Sequence, residues 1–534
     1  MISVSTEHDR HVIPNWRSFG STVSLGELDA YQTVERNFPK VYDIDEYIID
    51  FQINKTTVHA SELISAAIAN NRLEAKEVEE AAYLILKNSD KVTSLQFDLA
   101  KQILSPELLH KQYINHHHEE DLLRYFEDHE TRIKDKIKCA RDSLKQFNFN
   151  PVLYVELSRY YSIIGEEAKS IHAMKIAMHL AKNNRFVFRC ATRLFVHYHS
   201  EKNDYLEQMQ RYLQKTPMVS HDPWLMSAEI SLSTLLDRSS KFVKKGIGII
   251  DSKNYAPFSL TELASNIATI EMFHGSRKRS KTLFKEALKA PNDNTLAQVK
   301  WALRKDPSLE GSLQVSLDSF DTKKKFEALT YDSYFGRKDF NETLTQAIHW
   351  LIDQPFSKDA AMFGSNIAAT LVSDQDKAIA LVKAGLLSHP DDPGLINNYA
   401  YSLSLDNRPD EALDMLNKMK ASNIAEETKI CLKATRGLAL FRTRQHERIE
   451  EGRALYQEAI SDTKKMNNSN LNWTAIINYA REELIHDSKN AVEIVKLLDM
   501  IPSETKNPSI DFLKSDLMGQ CLDTMKSLVA NSPK

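Results

Sequence analysis

Histidines and carboxylates between positions 110 and 129 form the cluster whose chemistry stands out first. His116–His118 run directly into Glu119–Asp121, with His110 upstream and His129 downstream. On a helix, members of the two triplets that lie four positions apart share one face and are able to bridge a divalent metal ion. Neighbouring histidines project in different directions, however, and no HExxH or His-x-Glu…Cys framework accompanies them. We therefore favour a solvated linker over a metal site and predict no bound metal.

The sequence contains no other complete catalytic motif. The segment KKGIGII at 244–250 has a Gly-x-Gly, but it lacks the third glycine and the preceding strand of a phosphate loop. No GxSxG, Walker lysine or Cys–His dyad is recognisable along the chain. The sequence therefore predicts a protein that is not an enzyme and needs no cofactor. A metal-dependent enzyme in the N-terminal 140 residues, built on the histidine cluster, remains the alternative.

The composition favours amphipathic helices. Among 534 residues there are only 14 glycines and 16 prolines, with 27% charged and 42% apolar residues, a balance typical of helices that bury one face. A net charge of -4 gives no whole-chain attraction for phosphate backbones. The four cysteines form no CxxC pair, no apolar run is long enough to span a bilayer, and the N-terminus resembles no secretory signal. We expect a cytoplasmic protein without a membrane segment.

A period of 34 residues runs through much of the chain. Pairs of small residues twelve positions apart mark it: Ser158 with Ser170, Ala268 with Ser280, and Ala400 with Ala412. Gly165 lies five residues before the second member of its pair, where a turn between two helices would fall. A further second helix begins its pattern at Gly452, after a turn that is about three residues longer. Two antiparallel helices approach closely where each presents a small residue, so the pattern predicts helical hairpins that must stack to bury their apolar faces.

The segment DPGLINNYAYSLSLDNRPDEALDMLNKM at 392–419 resembles the tetratricopeptide repeat, a helix-turn-helix unit of 34 residues. The resemblance is to a divergent member of that family. It implies an all-α fold in which the repeats form a right-handed superhelical solenoid, preceded here by a helical N-terminal region. We predict six regions: an irregular segment at 1–56, a helical capping region at 57–145, a first array at 146–306, a linker at 307–324, a second array at 325–465 and capping helices at 466–534. Ser61 is the expected N-cap of the first helix of the capping region.

Tetratricopeptide proteins bind partner segments along the concave face that the first helix of each unit lines. Transferred by spacing, the resemblance places six residues on this face: Arg159, Arg189, Arg193, Asn397, Asn398 and Tyr401. Asparagines there would clasp a peptide backbone, and arginines would hold carboxylates in a bidentate fork. Charge reversal at Arg189 and Arg193 is then expected to weaken an acidic partner with little effect on stability.

The function implied by the resemblance is that of a non-catalytic scaffold or adaptor that binds one or more partner proteins in or across its groove. A homo-oligomer is also compatible with the sequence. A second hypothesis is a regulatory or sensor subunit of a bacterial effector complex, such as a nuclease or phage-defence system, that contacts nucleic acid. Basic runs at 277–279 and 323–325 would serve that role, but solvated helix or loop faces are their ordinary interpretation.

Overall fold

The computed structural model describes most of the chain from Ile44 onward. The described residues are 44–70, 72–92, 94–105, 126, 128–146, 151–182, 184–198, 204–252, 254–255, 257–309, 313, 326–419 and 424–530. The histidine-rich stretch at 110–121 and the basic run at 323–325 lie outside these ranges. So do residues 1–43 of the segment predicted to be irregular.

Twenty-five α-helices account for nearly all of the described structure. The first fourteen are α1 Ile44–Asn54, α2 Thr57–Asn70, α3 Lys76–Lys87, α4 Ser94–Leu104, α5 His129–Gln146, α6 Pro151–Ile163, α7 Glu167–Leu180, α8 Arg185–His197, α9 Asp204–Lys215, α10 Pro223–Leu235, α11 Val243–Asp251, α12 Pro257–His274, α13 Arg277–Ala287 and α14 Asp293–Lys305. The remaining eleven are α15 Phe326–Tyr331, α16 Phe340–Asp353, α17 Lys358–Ile367, α18 Gln375–Ser388, α19 Pro393–Leu405, α20 Pro409–Lys418, α21 Glu426–Arg442, α22 His446–Lys465, α23 Ser469–His486, α24 Ala491–Asp499 and α25 Pro508–Ala530.

The prediction of an all-α fold is confirmed, since the described ranges contain helices and turns and no strand. The segment at 244–250 lies within helix α11, as expected for a sequence that is not a phosphate loop. Among these helices, none combines the length and the apolar character needed to cross a membrane.

The helices pack as hairpins into two compact units, one built chiefly from Glu130–Ala328 and the other chiefly from Pro355–Lys534. In the first unit α6 pairs with α7 and α12 with α13, while the first helices α6, α8, α10, α12 and α14 stack on one another. In the second unit α17, α19, α21 and α23 stack in the same way, with α18, α20, α22 and α24 as their partners. The predicted stack of helix-turn-helix repeats is therefore confirmed, and the handedness of a superhelix stays a prediction.

Polar contacts between successive repeats reproduce the 34-residue period. Three hydrogen bonds join residues 34 positions apart: Thr216 to the backbone oxygen of Lys182, Tyr255 to that of His221, and Thr261 to the hydroxyl of Thr295. Because a buried or half-buried hydroxyl must find a partner, a bond repeated at this interval fixes how one repeat lies on the next.

The small residues twelve positions apart face each other inside their hairpins. The Ser158 hydroxyl donates to the backbone oxygen of Ser170 at 2.8 Å, and the Ser280 hydroxyl donates to that of Ala268 at 2.8 Å. A side chain that reaches the backbone of the partner helix requires the two helix axes to come close together. Gly165 lies in the turn between α6 and α7 with φ 69°, a left-handed conformation that favours glycine.

Helices α21 and α22 meet through glycine on both sides. A Cβ atom on Gly437 would lie 3.0 Å from the backbone oxygen of Gly452, and one on Gly452 would lie 2.8 Å from that of Gly437. These two glycines are fifteen positions apart, three more than in the other pairs. The prediction that a longer turn supplies the extra residues is wrong: the turn spans only 443–445, and the additional residues extend α22 at its start.

An Asp–Pro step begins helices in both units. Asp222 and Asp392 each precede a proline at the first helical position, and each carboxylate accepts a hydrogen bond at 3.0 Å from the backbone N–H three residues on. The aspartate satisfies one of the unpaired N–H groups of the first turn, and proline fits there because its position needs no N–H donor.

The N-terminal helices correct two predictions. Ile44–Asn54 is helical although it falls in the segment expected to be irregular. Ser61 lies inside α2 rather than at its cap, and its hydroxyl donates to the backbone oxygen of Thr57. Thr56 accepts from the backbone N–H of His59 at 3.3 Å and so takes the capping position. Thr56 and Ser61 both precede apolar residues of α2, and the sequence pattern alone does not show which of them caps the helix.

We expect Ala412→Leu to overpack the α19–α20 hairpin. Ala400 and Ala412 are both fully buried, so the added atoms must displace the partner helix. The free energy of unfolding should fall by about 1–3 kcal/mol, measured by thermal or urea unfolding of the full chain. The exposed Asn417→Leu on the same helix is the control. Equal stability of the Ala412→Leu variant and the wild type would contradict the helix contact described here.

Glu62 on α2 carries an unusual carboxyl group. Burial, with a further contribution from the nearby Asp50 carboxylate, raises the pKa of Glu62 from 4.5 to about 7. The folded chain therefore binds this proton more tightly than the unfolded chain does. It follows that the stability contributed by this group is full below pH 4.5 and is lost as the pH rises through about 7.

Glu62→Gln should consequently stabilise the protein at pH 8 and leave it unchanged at pH 4. After allowance for partial solvent screening, we expect a gain of about 1–2 kcal/mol at the higher pH. The measurement is hydrogen exchange of Thr57–Asn70 together with thermal unfolding at both pH values. The exposed Glu79→Gln serves as control. A gain of the same size at pH 4 would show that the carboxylate charge is not the cause.

Candidate partner-binding surfaces

The three arginines predicted to face a groove lie together in the first unit, around Cys190. Burial raises the pKa of the Cys190 thiol to about 12, although the guanidinium groups of Arg193, Arg189 and Arg159 all act to lower it. Arg159 is 7% exposed and Arg189 only 4% exposed, whereas Arg193 is half-buried. Spacing thus brings the predicted residues to one place, but their accessibility differs.

Arg189 holds two successive repeats together. Its Nη2 atom lies 3.1 Å from Oδ1 and 3.2 Å from Oδ2 of Asp222, the residue that caps α10. The guanidinium carbons of Arg189 and Arg193 lie 5.3 Å and 5.2 Å from the ring centroid of Trp224, a distance at which cations are attracted to an indole face. The expectation that charge reversal at Arg189 leaves stability nearly unchanged is corrected by this buried ion pair. Arg189 contributes to packing between repeats, Arg159 is buried, and Arg193 is the most exposed member of the three.

The three residues predicted on α19 also differ in their contacts. Asn398 donates to the backbone oxygen of Met362 at 3.0 Å and to the Ser365 hydroxyl at 3.1 Å, so its amide links α19 to α17. The Tyr401 hydroxyl donates to Oδ1 of Asn478 at 2.9 Å. Asn397 is half-buried, and its side-chain oxygen has no hydrogen-bond partner among the described residues. That oxygen is itself buried, so it is not exposed to a ligand.

The predicted histidine cluster and basic runs fall partly within the described residues. His129 is buried, while the rest of the histidine cluster lies outside the described residues. Within the described ranges, His, Cys, Asp and Glu form no group of three that is able to hold a metal ion. In the basic run that starts α13, Arg277 lies 3.8 Å from Asp306 and Arg279 lies 3.1 Å from Glu271, so both arginines have carboxylate neighbours.

A groove of about 620 Å³ opens between α5, α6 and α7 in the first unit. Its floor is apolar and its polar lining side chains carry basic groups or phenols; we call it the basic groove. The apolar and aromatic residues are Leu144, Tyr154, Leu157, Tyr161, Ala168, Ala173 and Ile176. The basic residues are Arg141, Lys145, Lys169 and His172. Such a surface combines a sizeable apolar area with polar groups that fix orientation, as ligand sites do.

A second groove, of about 460 Å³, lies between α18, α19 and α20 in the second unit. Its floor is again apolar, but three carboxylates and one ammonium group surround it; we call it the acidic groove. The floor consists of Leu386, Pro390, Ile396, Tyr399, Leu403, Met415 and Met419. The charged residues are Asp391, Glu411, Asp414 and Lys418. A hydrogen bond from Arg408 lowers the pKa of the Glu411 carboxyl group.

The two grooves occupy the same position in their repeats. Tyr154 and Ile396 are 242 residues apart in the sequence, and the same interval relates Ser158 to Ala400 in the small pairs. Eight lining positions coincide at this interval: Leu144 with Leu386, Tyr154 with Ile396, Leu157 with Tyr399, Tyr161 with Leu403, Lys169 with Glu411, His172 with Asp414, Ala173 with Met415 and Ile176 with Lys418. On the first helix of each pair these positions face away from Arg159 and Tyr401, because a helix turns by 100° per residue. The grooves therefore form a surface distinct from the one predicted.

The ion pair of Arg189 yields a test of its structural role. Arg189→Ala leaves the Asp222 carboxylate buried without its cation and should cost about 3–5 kcal/mol of unfolding free energy. Adding Asp222→Asn removes the unpaired charge while preserving a capping oxygen, so the double variant should recover part of the loss. Urea unfolding of the two single variants and the double variant measures the coupling. Additive losses would show that the two side chains do not interact.

Comparison with known proteins gives wide coverage at low similarity. The sequence matches no family model and no curated protein. Among solved structures, similarity extends to yeast Tom70 at 12% identity over 91% of this chain and 96% of that one, with a TM-score of 0.23. It extends to Naa15/Naa10 bound to HypK-THB at 15% identity, over 93% of this chain and 89% of that one, with a TM-score of 0.23. It also extends to the APC/C hetero-tetramer Cut9–Hcn1 at 10% identity, over 91% of this chain and 97% of that one, with a TM-score of 0.27. At these TM-scores the superpositions carry no argument, and the fold stands on the helix pairs themselves.

Proposed function

We propose that this chain is a non-catalytic scaffold that holds segments of partner proteins in the grooves between its repeats. The observation that carries the proposal is the recurrence of one groove, with an apolar floor and a charged surround, at equivalent positions of two repeats. Apolar side chains line each open groove, and the free energy falls when a partner removes them from water. A segment with apolar anchors along one face is the ligand that such a groove suits.

The predicted face supplies a second contact surface for the same function. Arg193 is half-buried beside Trp224, and Asn397 has an oxygen atom without a hydrogen-bond partner in the described structure. A partner that lies along the first helices would meet only the solvent-facing parts of these two half-buried side chains, since that Asn397 oxygen is itself buried. Arg159 and Arg189 would act behind them, as supports of the helix packing.

Site-specific photo-cross-linking tests the proposal without disturbing the charges. p-Benzoylphenylalanine is placed at Tyr154 in the basic groove, at Tyr399 in the acidic groove, and at the exposed Tyr83 on α3 as a matched aromatic control. The full chain is irradiated in its native host, and adducts are identified by mass spectrometry with and without nuclease treatment. We expect a defined partner protein at one or both groove positions, resistant to nuclease and lacking at Tyr83.

Two outcomes would count against the scaffold. Adducts that disappear after nuclease treatment would favour the subunit that contacts nucleic acid. Equal adducts at all three positions, or none at either groove, would show that the grooves do not bind partner proteins.

A further inference from the structure

We propose that the basic groove binds an acidic amphipathic segment of a partner protein, one with apolar anchors on one face and Asp or Glu on its flanks. This inference rests on the proposed function and specifies the ligand of one of its two grooves. Three features of the molecule support it: the apolar floor, the sign of the surrounding charge, and the opposite charge at the equivalent groove.

The floor of the basic groove is suited to aliphatic or aromatic anchors. Tyr154, Tyr161 and Ile176 are half-buried, so each has apolar surface left to cover. The Lys169 ammonium lies 5.9 Å from the ring centroid of Tyr161, which leaves a positive charge directly at the margin of this apolar surface. An anchor that enters the groove therefore brings its neighbouring residues up to that charge.

The charge around the groove is positive. Arg141, Lys145, Lys169 and His172 are all exposed, and no carboxylate belongs to the lining. The nearest acidic partners lie just outside it: Asp142 accepts from Lys145 at 2.8 Å, and Glu166 accepts from Lys169 at 2.8 Å. These are exposed pairs of neighbours on one stretch of chain, and such pairs are weak. Carboxylates of a bound segment are able to compete for the same ammonium groups.

The acidic groove serves as an internal comparison. Lys169 and His172 are replaced at the equivalent positions by Glu411 and Asp414, while the floor stays apolar. Both floors are apolar and would accept apolar anchors, so the surrounding charge is the clearest difference between the two grooves. Charge of the same sign on groove and segment is costly, and opposite charge speeds association. The basic groove therefore accepts an acidic segment and rejects a basic one.

Selection from a displayed library of random peptides sixteen residues long tests this inference on the immobilised full chain. We expect acidic peptides with apolar residues at helical spacing among those enriched. Their synthetic forms are then measured by fluorescence anisotropy against the wild type and the Lys169→Glu/His172→Asp variant, which places the Glu and Asp of the acidic groove at the two equivalent positions. Affinity for acidic peptides should fall about tenfold or more.

A matched control carries the same change of charge on the same helix outside the groove. Lys175→Glu/His179→Asp alters residues of α7 that do not line it, and affinity should change by less than about twofold. Circular dichroism and thermal unfolding of both double variants establish that each is folded. A folded groove variant that binds acidic peptides as tightly as the wild type would overturn the inference.

Two further results would also overturn it. The first is a selection in which the enriched peptides include no acidic ones. The second is displacement of bound acidic peptides by a short single-stranded oligonucleotide of equal charge, which would identify a general site for polyanions. Neither result bears on the cross-linking at Tyr399, because that residue lines the acidic groove. If a partner is cross-linked at Tyr399, the proposed scaffold function stands even when the proposal of an acidic ligand for the basic groove is contradicted.

Discussion

The close approach of two small residues inside the hairpins α6–α7, α12–α13, α19–α20 and α21–α22 is the constraint on which the rest of this structure depends. Where Ser158 reaches the backbone of Ser170, or where Gly437 meets Gly452, the two helices have one crossing point that larger residues would not allow. Once this point is fixed, every other position of the two helices has a fixed direction. Positions four and one before the first small residue, and three after it, then line the groove: Tyr154, Leu157 and Tyr161 in one repeat, Ile396, Tyr399 and Leu403 in another.

Polar groups determine how one hairpin lies on the next. The hydroxyl bonds between residues 34 positions apart, the Asn398 amide that links two first helices, and the buried pair of Arg189 and Asp222 all act between repeats. Apolar stacking alone has little directional preference, whereas a buried polar group that loses its partner is costly. The apolar faces therefore drive stacking, and the polar contacts fix its register.

Much of the fold could be predicted from the sequence, because the repeat period and the small pairs are local patterns. The hairpins around Ser158 and Ala400, the turn at Gly165 and the absence of strands in the described ranges follow from spacing alone. The extension of α22 could not be predicted in this way, because an interval of fifteen between Gly437 and Gly452 is compatible with a longer turn or a longer helix. Asp222 lies 33 residues beyond Arg189, and nothing near Arg189 in the sequence shows that it is buried.

The candidate site was less accessible to sequence reasoning. The resemblance predicted binding residues on the first helix of each repeat, where Arg193 and Asn397 are half-buried and Arg159 and Arg189 are buried. The grooves are built from three helices, so their lining becomes visible only when the hairpins are assembled. A sequence signal did exist. Lys169 and Glu411 each lie one position before the small residue of the second helix, Ser170 or Ala412, and His172 and Asp414 each lie two positions after it.

The two grooves differ in charge although their hairpins pair in the same way. The residues proposed to select a ligand are therefore not the residues that hold the helices together. Ser170 and Ala412 are fully buried and determine whether the helices pair, whereas their exposed neighbours Lys169 and Glu411 carry opposite charges without any change in that pairing. Substitutions at such exposed positions usually have little effect on stability, so the charge beside one groove can change while its hairpin stays folded. In a stack of such hairpins, the proposed ligand preference of each groove would be adjustable independently of the others.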